Sequence, residues 1–361
     1  MNFKAADFVI GLQYGDEGKG KVAASLAATF NYKIVARYNG GPNAGHTVQL
    51  ENKSVALHQL PTGVLFKKQS YIGPGTVISF NKLEQEASKI NEVMGFCPFQ
   101  YLTISPQAIV ISDSHISADI QSQAKTQGST SSGIAPAYAS FYNREALLAR
   151  DYTWPDKNGR ETINYLPKIN GNVLLEGAQG YYLNPYQGSY PYTTSSSSHP
   201  GNAAATFGFS TSKIRNVIGV AKCYETRSGI DPDFYKIMLR DGNLIEIDQS
   251  KDIEVFSQLQ KEGKEIGVTT GRNRQVRWLD ATRLIKAINE TGTNILVVQK
   301  WDILSKLNTF VYYHNGAEVT FETVEVMKKA LKSLLEINCP SLTRIIYSAS
   351  PYYYDIDWQD L

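Results

Sequence analysis

The sequence predicts an α/β fold: one large domain over residues 1–361, built around a mostly parallel central sheet and carrying long functional loops. Two observations carry most of this. Residues 8–12 form a short apolar run ending in a Gly-rich turn, Val22, Leu26 and Phe30 then recur every four residues, and residues 33–37 read as a second strand. Strand, glycine loop, helix and strand in that order is how a parallel sheet begins. Further short apolar runs follow down the chain, and no internal repeat or interdomain linker separates them; the run Ser195-Ser196-Ser197-Ser198 is too short to be one.

The later elements follow from the same patterns. Asn81 with Glu84 reads as a capping box ahead of Leu83, Ala87, Ile90 and Met94. Residues 173–175, 217–221, 295–298 and 344–347 are apolar and short enough to be buried strands, and residues 280–289 and 324–337 carry helical periodicity. Residues 121–139 and 177–207 show no clear period. Segments of that length in a compact domain tend to be functional loops.

Composition narrows the classes. Charged residues make up 19 % of the chain and the net charge is +2, so no basic surplus supports binding to DNA or RNA through phosphate neutralisation. Cys97, Cys223 and Cys339 are few and scattered, which suits reduced thiols and neither a disulfide framework nor a metal site. Eighteen apolar residues never run together, and residues 1–7 lack a signal-like stretch. A cytoplasmic protein without membrane attachment is expected.

Four motifs carry chemistry. Gly15-Asp16-Glu17-Gly18-Lys19-Gly20-Lys21 lies between strand and helix, where glycines let backbone N–H groups approach an anion and the helix start adds partial positive charge. Gly15, Gly20 and Lys21 fit a P-loop, but Val22 stands where that loop needs a hydroxyl for its metal, so Asp16 is the alternative ligand. A polar turn with accidental glycines is the plain reading. Gly40-Gly41-Pro42-Asn43-Ala44-Gly45-His46-Thr47 follows the second strand. Loops leaving neighbouring strands of a parallel sheet line one crevice, so Asp16 and His46 should face each other as base and acid. Alone, a His in a glycine loop is more often structural. Val268-Thr269-Thr270-Gly271-Arg272-Asn273-Arg274 offers two guanidinium forks for a dicarboxylate, although exposed arginines are usually just solvated. Lys300-Trp301-Asp302, after a strand, is similar to the element by which GTP-binding proteins read guanine; by itself it is common.

Together and in this order the motifs resemble the adenylosuccinate synthetase family. Residues 13–21 carry its Gln-Trp/Tyr-Gly-Asp-Glu-Gly-Lys-Gly-Lys signature and residues 43–47 its Asn-Ala-Gly-His-Thr. Residues 133–138, 176–180, 190–196, 269–272, 278–280 and 300–302 match further stretches. The resemblance implies a ligase that condenses L-aspartate with C6 of a 6-oxopurine nucleotide through a 6-phosphoryl intermediate, spending a nucleoside triphosphate. Asp16 would take the N1 proton and, with Gly45, hold Mg2+; His46 would act as acid, and Lys19 would stabilise charge. Asn43, Ala44, Thr130, Arg144, Gln179, Thr194 and Arg272 would hold the substrate nucleotide, with Arg144 reaching into the partner's site in a homodimer. Val268, Thr269, Thr270, Gly271, Arg272 and Arg274 would bind aspartate. Gly15, Glu17, Gly18, Gly20, Lys21, Arg274, Lys300, Asp302, Ser348 and Ser350 would hold the donor, ATP or GTP.

The departures cluster. Residues 129–136 read Ser-Thr-Ser-Ser-Gly-Ile-Ala-Pro where the family has Thr-Thr-Gly-Arg-Gly-Ile-Gly-Pro, and Asn273 replaces an arginine. Ser228 puts a hydroxyl near where the family handles the sugar, and Ser350 replaces a glycine in the donor-base loop, Ser348-Ala349-Ser350-Pro351. The phosphate chemistry is kept while the nucleotide surroundings change, as in the phage branch that makes 2-aminoadenylosuccinate from dGMP. Retention of Asp16 runs the other way, because some phage members replace that acid. The expectation is dGMP, with IMP as the alternative. A non-catalytic nucleotide switch is a remote rival; it would need neither the aspartate loop nor aspartate-dependent phosphate release.

Overall fold

Eight strands make the central sheet of the computed structural model, which describes residues 3–122, 129–152, 162–165, 169–267 and 271–359. They are β1 (Ala6–Gly11), β2 (Ile34–Arg37), β3 (Ser70–Ile72), β4 (Leu102–Ile104), β5 (Val173–Glu176), β6 (Ile214–Lys222), β7 (Ile295–Gln299) and β8 (Arg344–Tyr347). Their spatial order is β8-β7-β6-β1-β5-β2-β3-β4, and each neighbouring pair is parallel. β1 lies in the middle with all of its residues buried; Phe8 stands opposite Val217 on one side and Leu175 on the other. Strands covered on both faces need unbroken apolar runs, which is why six of these were readable; β3 and β4, three residues each, are too short to stand out in the sequence.

Helices close both faces. On one, α1 (Lys19–Thr29) buries Val22, Ala23, Leu26 and Ala27 in a core with Val9, Val35, Val220 and Val297. On the other, Phe8, Ile10 and Leu175 share a core with Leu284 and Ile288 of the helix Ala281–Thr291. A second sheet of four strands runs in the order Tyr224–Arg227, Gln275–Asp280, Phe310–His314, Ala317–Phe321. Among the described residues no helix is long and apolar enough to cross a membrane, and the three cysteines are free thiols.

Four expectations need correction. β1 and β2 are not neighbours, because β5 pairs with both; which strands pair is a long-range matter that local pattern does not encode. The helix expected to start at an Asn81–Glu84 capping box starts earlier, at Phe80, with Ser79 as its cap accepting from the Lys82 N–H at 3.5 Å. Phe80 is buried, and burying its ring draws the first turn inward. The two aperiodic stretches hold the helices Ile134–Tyr142 and Pro200–Phe207. Each is about two turns long with a stripe of only a few buried residues, too short to register as a period. His46 lies at the start of a hairpin strand, His46–Leu50 paired with Lys53–Leu57, not inside a loop.

Candidate active site

The carboxyl ends of the central strands open onto a cavity of about 1010 Å³. Gly15 and Asp16 enter it from the loop after β1, Lys19 from the start of α1, Asn43, Ala44 and Gly45 from the loop after β2, His46 from the start of the hairpin strand that follows, and Gln179 from the turn after β5. Thr130, Thr194, Arg227, Ser228 and Arg272 complete the walls that matter for chemistry.

The loop after β1 is shaped by its own acid. Glu17 is 1 % exposed and turns back to accept the N–H groups of Gln13 at 3.1 Å and Gly15 at 2.9 Å and the Lys19 ammonium at 2.6 Å. Its carboxylate therefore organises the loop and is not presented to a donor nucleotide. Asp16 sits at the crest in the left-handed region, φ 60°, a conformation held by its surroundings. Arg274 Nε stands 2.8 Å from Asp16 Oδ2, and the Ser228 hydroxyl donates to the same oxygen at 3.2 Å. Behind it, Arg274 Nη1 contacts Glu265 Oε2 at 2.6 Å, and Glu265 also takes the Tyr224 hydroxyl at 2.7 Å and the buried Lys222 ammonium at 3.2 Å. Burial alone would raise the Glu265 carboxyl; Lys222 and Arg274 overcome it and hold it at about 2. Arg274, expected among the ligand contacts, is thus the strut behind Asp16.

The acid partner is built by β5. Glu176 Oε1 accepts the His46 Nδ1–H, while its Oε2 takes the Thr62 N–H and hydroxyl, both at 2.9 Å. Arg37 Nη1 lies 3.2 Å from His46 Nδ1 and 3.5 Å from Glu176 Oε1. Burial and the Arg37 charge lower the imidazole to about 4, outweighing Glu176, whose charge is already shared with Arg37 and Thr62. His46 is then neutral with its proton on Nδ1, and Nε2 has no hydrogen-bond partner among the described residues. Gln179, at φ 59°, is fixed through Nε2 to Asn43 Oδ1 at 3.1 Å and through Oε1 to Ser196 Oγ at 3.2 Å. The His58 ring reaches the Ala44 carbonyl at 2.7 Å and steadies the loop beside it.

A second cluster forms where β7 and β8 end side by side. Gln299 Nε2 donates to the carbonyls of Glu17 at 2.7 Å and Gly18 at 3.1 Å. Gly18 has φ 88°, and a Cβ there would meet that amide at 2.5 Å, so only glycine lets strand and loop join. The Lys21 ammonium bonds the Ser348 hydroxyl and the Ser350 carbonyl, and burial lowers it to about 8. Lys300 caps the helix Trp301–Leu307 and donates to the Gly263 carbonyl at 2.8 Å, with Asp302 in the first turn. These residues lie outside the cavity lining and join it through the loop after β1. Gly20 packs against His46, and Gly271 stands beside Arg272. Arg144 is exposed just past the helix Ile134–Tyr142 and is not part of the lining, although Phe141 and Tyr142 are. Val268, Thr269 and Thr270 lie outside the described residues.

The sequence model of the adenylosuccinate synthetase family matches residues 8–163 and 155–336. The chain belongs to the adenylosuccinate synthetase family. It is therefore a ligase that forms a C–N bond, of the kind its relatives are named for. The adenylosuccinate synthetase of Helicobacter hepaticus is 32 % identical over 351 residues, 83 % of this chain and 79 % of that one. That of Cytophaga hutchinsonii is 34 % identical over 366 residues, 86 % and 81 %. Two solved structures share the fold. Fully ligated adenylosuccinate synthetase from Plasmodium falciparum has a TM-score of 0.81 at 24 % identity, over 98 % of this chain and 99 % of the other. The succinoaminodeoxyadenylate synthetase of cyanophage S-2L, bound to dGMP and to dATP as energy donor, has 0.71 at 20 % identity, over 99 % and 95 %.

Sequence reasoning missed Glu176, Arg37, Thr62, Lys222 and Glu265. Two had a signal. Glu176 ends the apolar strand Val-Leu-Leu-Glu, and Lys222 ends the apolar run of β6. A charge closing an apolar parallel strand points into the crevice at its carboxyl end. Thr62 and Glu265 meet their partners only through the fold.

Proposed function

We propose that this ligase, acting as one catalytic unit over residues 1–361, joins L-aspartate to C6 of dGMP and yields the 2-amino-2′-deoxy succinyl nucleotide, a nucleoside diphosphate and phosphate. The observation that carries the reaction is that Asp16 and His46 line one cavity together with Gly15 and Lys19. A lactam carbonyl is a poor electrophile with no leaving group. Asp16 removes the N1 proton, charge passes to O6, and O6 attacks the γ-phosphorus as the bond to the β-phosphate oxygen breaks. The amine of aspartate then adds at C6, the C6–O6 bond breaks, and phosphate departs with O6. Lys19 and the amides of the loop stabilise the transferring group. An anionic phosphoryl group against His46 Nε2 raises the affinity of that nitrogen for a proton, and the imidazolium then donates to it.

The Asp16 carboxylate and the Gly45 carbonyl would hold Mg2+, and the residues present suit that ion. Both are hard oxygen donors that line the cavity, and Mg2+ binds through one or two carboxylates, water and substrate phosphates. When bound it would neutralise charge on the phosphoryl oxygens.

The preference for dGMP over IMP rests on where the sequence departs from its family: around the sugar and the two bases, with Asp16, Lys19 and His46 kept. Guanine carries the same N1–H and C6=O as hypoxanthine, so the same base serves. Lys300 and Asp302 favour GTP as donor, and Ser350 favours ATP. Exposed Arg144 would complete a partner's cavity in a homodimer. Steady-state rates with dGMP, GMP and IMP at equal concentration, each with aspartate and either triphosphate, test the reading. Fastest turnover with dGMP is expected, and oxygen-18 placed at C6 must appear in the released phosphate. Faster turnover with IMP overturns the substrate, and unlabelled phosphate overturns the mechanism.

A further inference from the structure

We infer that Ser228 reads position 2 of the purine: its hydroxyl accepts a hydrogen bond from the exocyclic 2-amino group of guanine while donating to Asp16. The inference deepens the dGMP reading and rests on it. A carboxylate that takes the proton from N1 has two neighbours along the same edge of the ring, O6 on one side and the substituent at C2 on the other. Hypoxanthine offers only C2–H there, whereas guanine offers an N–H donor. The protein group beside the carboxylate therefore meets the one atom set by which the two bases differ.

Among the described residues two groups touch Asp16 Oδ2, Ser228 Oγ at 3.2 Å and Arg274 Nε at 2.8 Å. A guanidinium has donors and no acceptor, so Arg274 cannot pair with an amino group. A hydroxyl has one hydrogen and two lone pairs. The Ser228 hydrogen goes to Asp16 Oδ2, which leaves the lone pairs of the hydroxyl for a donor on the ligand. The direction of the hydroxyl is thus fixed by its neighbour, and what it presents is an acceptor. An exocyclic amine is its complement.

The position is also held. Arg227, immediately before, is 3 % exposed, donates to the Tyr192 carbonyl at 2.5 Å and pairs with Asp231 at 3.5 Å. Ser228 and Gly229 both line the cavity with Asp16. In the resemblance drawn from sequence this serine stood near the sugar; its hydrogen bond to Asp16 puts the hydroxyl at the base edge.

Binding of dGMP and dIMP to the purified protein, measured by calorimetry without donor or aspartate, isolates the 2-amino group because sugar and phosphate are the same. The wild type should bind dGMP about tenfold or more tightly than dIMP, the scale of one hydrogen bond to a half-buried partner. Ser228→Ala should weaken dGMP alone and bring the ratio close to one, and Ser228→Thr, which keeps the acceptor, should restore most of it. A wild type that favours dIMP overturns the substrate reading itself. A wild type that favours dGMP, with Ser228→Ala keeping that preference or weakening both nucleotides equally, overturns only the role of Ser228.

Discussion

Glu176 takes the Nδ1–H of His46, and this one contact decides which nitrogen of the ring is available to a ligand. With Nδ1 committed and the ring neutral, Nε2 carries a lone pair until an anion arrives. Glu176→Gln would present an amide that can donate to Nδ1 and so reverse the tautomer. Its kcat should fall by about 10²-fold or more, the scale of a misdirected acid–base group, while the KM for nucleotide moves little. A kcat within a few-fold of wild type would show that Glu176 only packs. The same site gives a pH dependence with a defined sign. Unfolded, the imidazole binds its proton near pH 6.5; folded, it does so only near 4. His46 thus contributes stability above pH 6.5 that is lost as pH falls toward 4. Between pH 6.5 and 5 the wild type should lose roughly 1–2 kcal/mol relative to His46→Asn, read from urea midpoints. Equal slopes for the two proteins would contradict the neutral buried ring. None of this was legible locally, because Glu176 and His46 are 130 residues apart in sequence.

At the scale of elements, strand–loop–helix at the N-terminus was legible because each piece has its own local cause: an apolar run, a glycine turn, a four-residue repeat. What it supports was less so. Gly20 fits a phosphate loop by spacing, yet in the structure its missing side chain serves packing: a Cβ there would lie 2.6 Å from His46 Cβ and 2.8 Å from its Cα. Gly20→Ala gains up to about 1 kcal/mol of helix propensity but overpacks α1 against the hairpin strand at about 1–3 kcal/mol. The second effect wins, since the clash is partly with backbone. The variant should be destabilised by about 1 kcal/mol and slower in turnover, measured by urea unfolding and kcat; a stabilised, fully active Gly20→Ala would show that the strand yields freely. The strand Gln275–Asp280 escaped notice for a related reason. Its Gln275, Arg277 and Asp280 break an apolar pattern, and their burial is tolerable only because partners such as Glu225 meet Arg277 across the sheet.

Across the whole molecule, Arg274 ties the two sheets together. It extends from the second sheet's flank to Asp16 above β1, with Glu265, Lys222 and Tyr224 behind it. Breaking a buried ion pair costs about 3–5 kcal/mol; Lys222 still serves Glu265, so Arg274→Met should cost about 2 kcal/mol. It should also depress turnover, because Asp16 loses its strut. Unchanged urea midpoints would mean that the guanidinium is a bystander to the packing.

The sequence by itself determined the α/β class, six of the strands buried on both faces, the family and, of the cavity lining, the residues between β1 and the hairpin together with Thr130, Gln179, Thr194 and Arg272. Those are properties of local runs and short motifs, in which neighbours in the chain suffice. Only the tertiary structure decided that β5 lies between β1 and β2 and so delivers Glu176 to His46. It also turned Glu17 inward, placed Arg274 behind Asp16 and set Ser228 at its side. Apart from Glu17, whose carboxylate meets Gln13, Gly15 and Lys19 nearby in the chain, each of these is a pairing of polar groups distant in sequence. Such groups find partners because an unpaired one would cost free energy on burial, and the folded topology alone settles which partners are in reach.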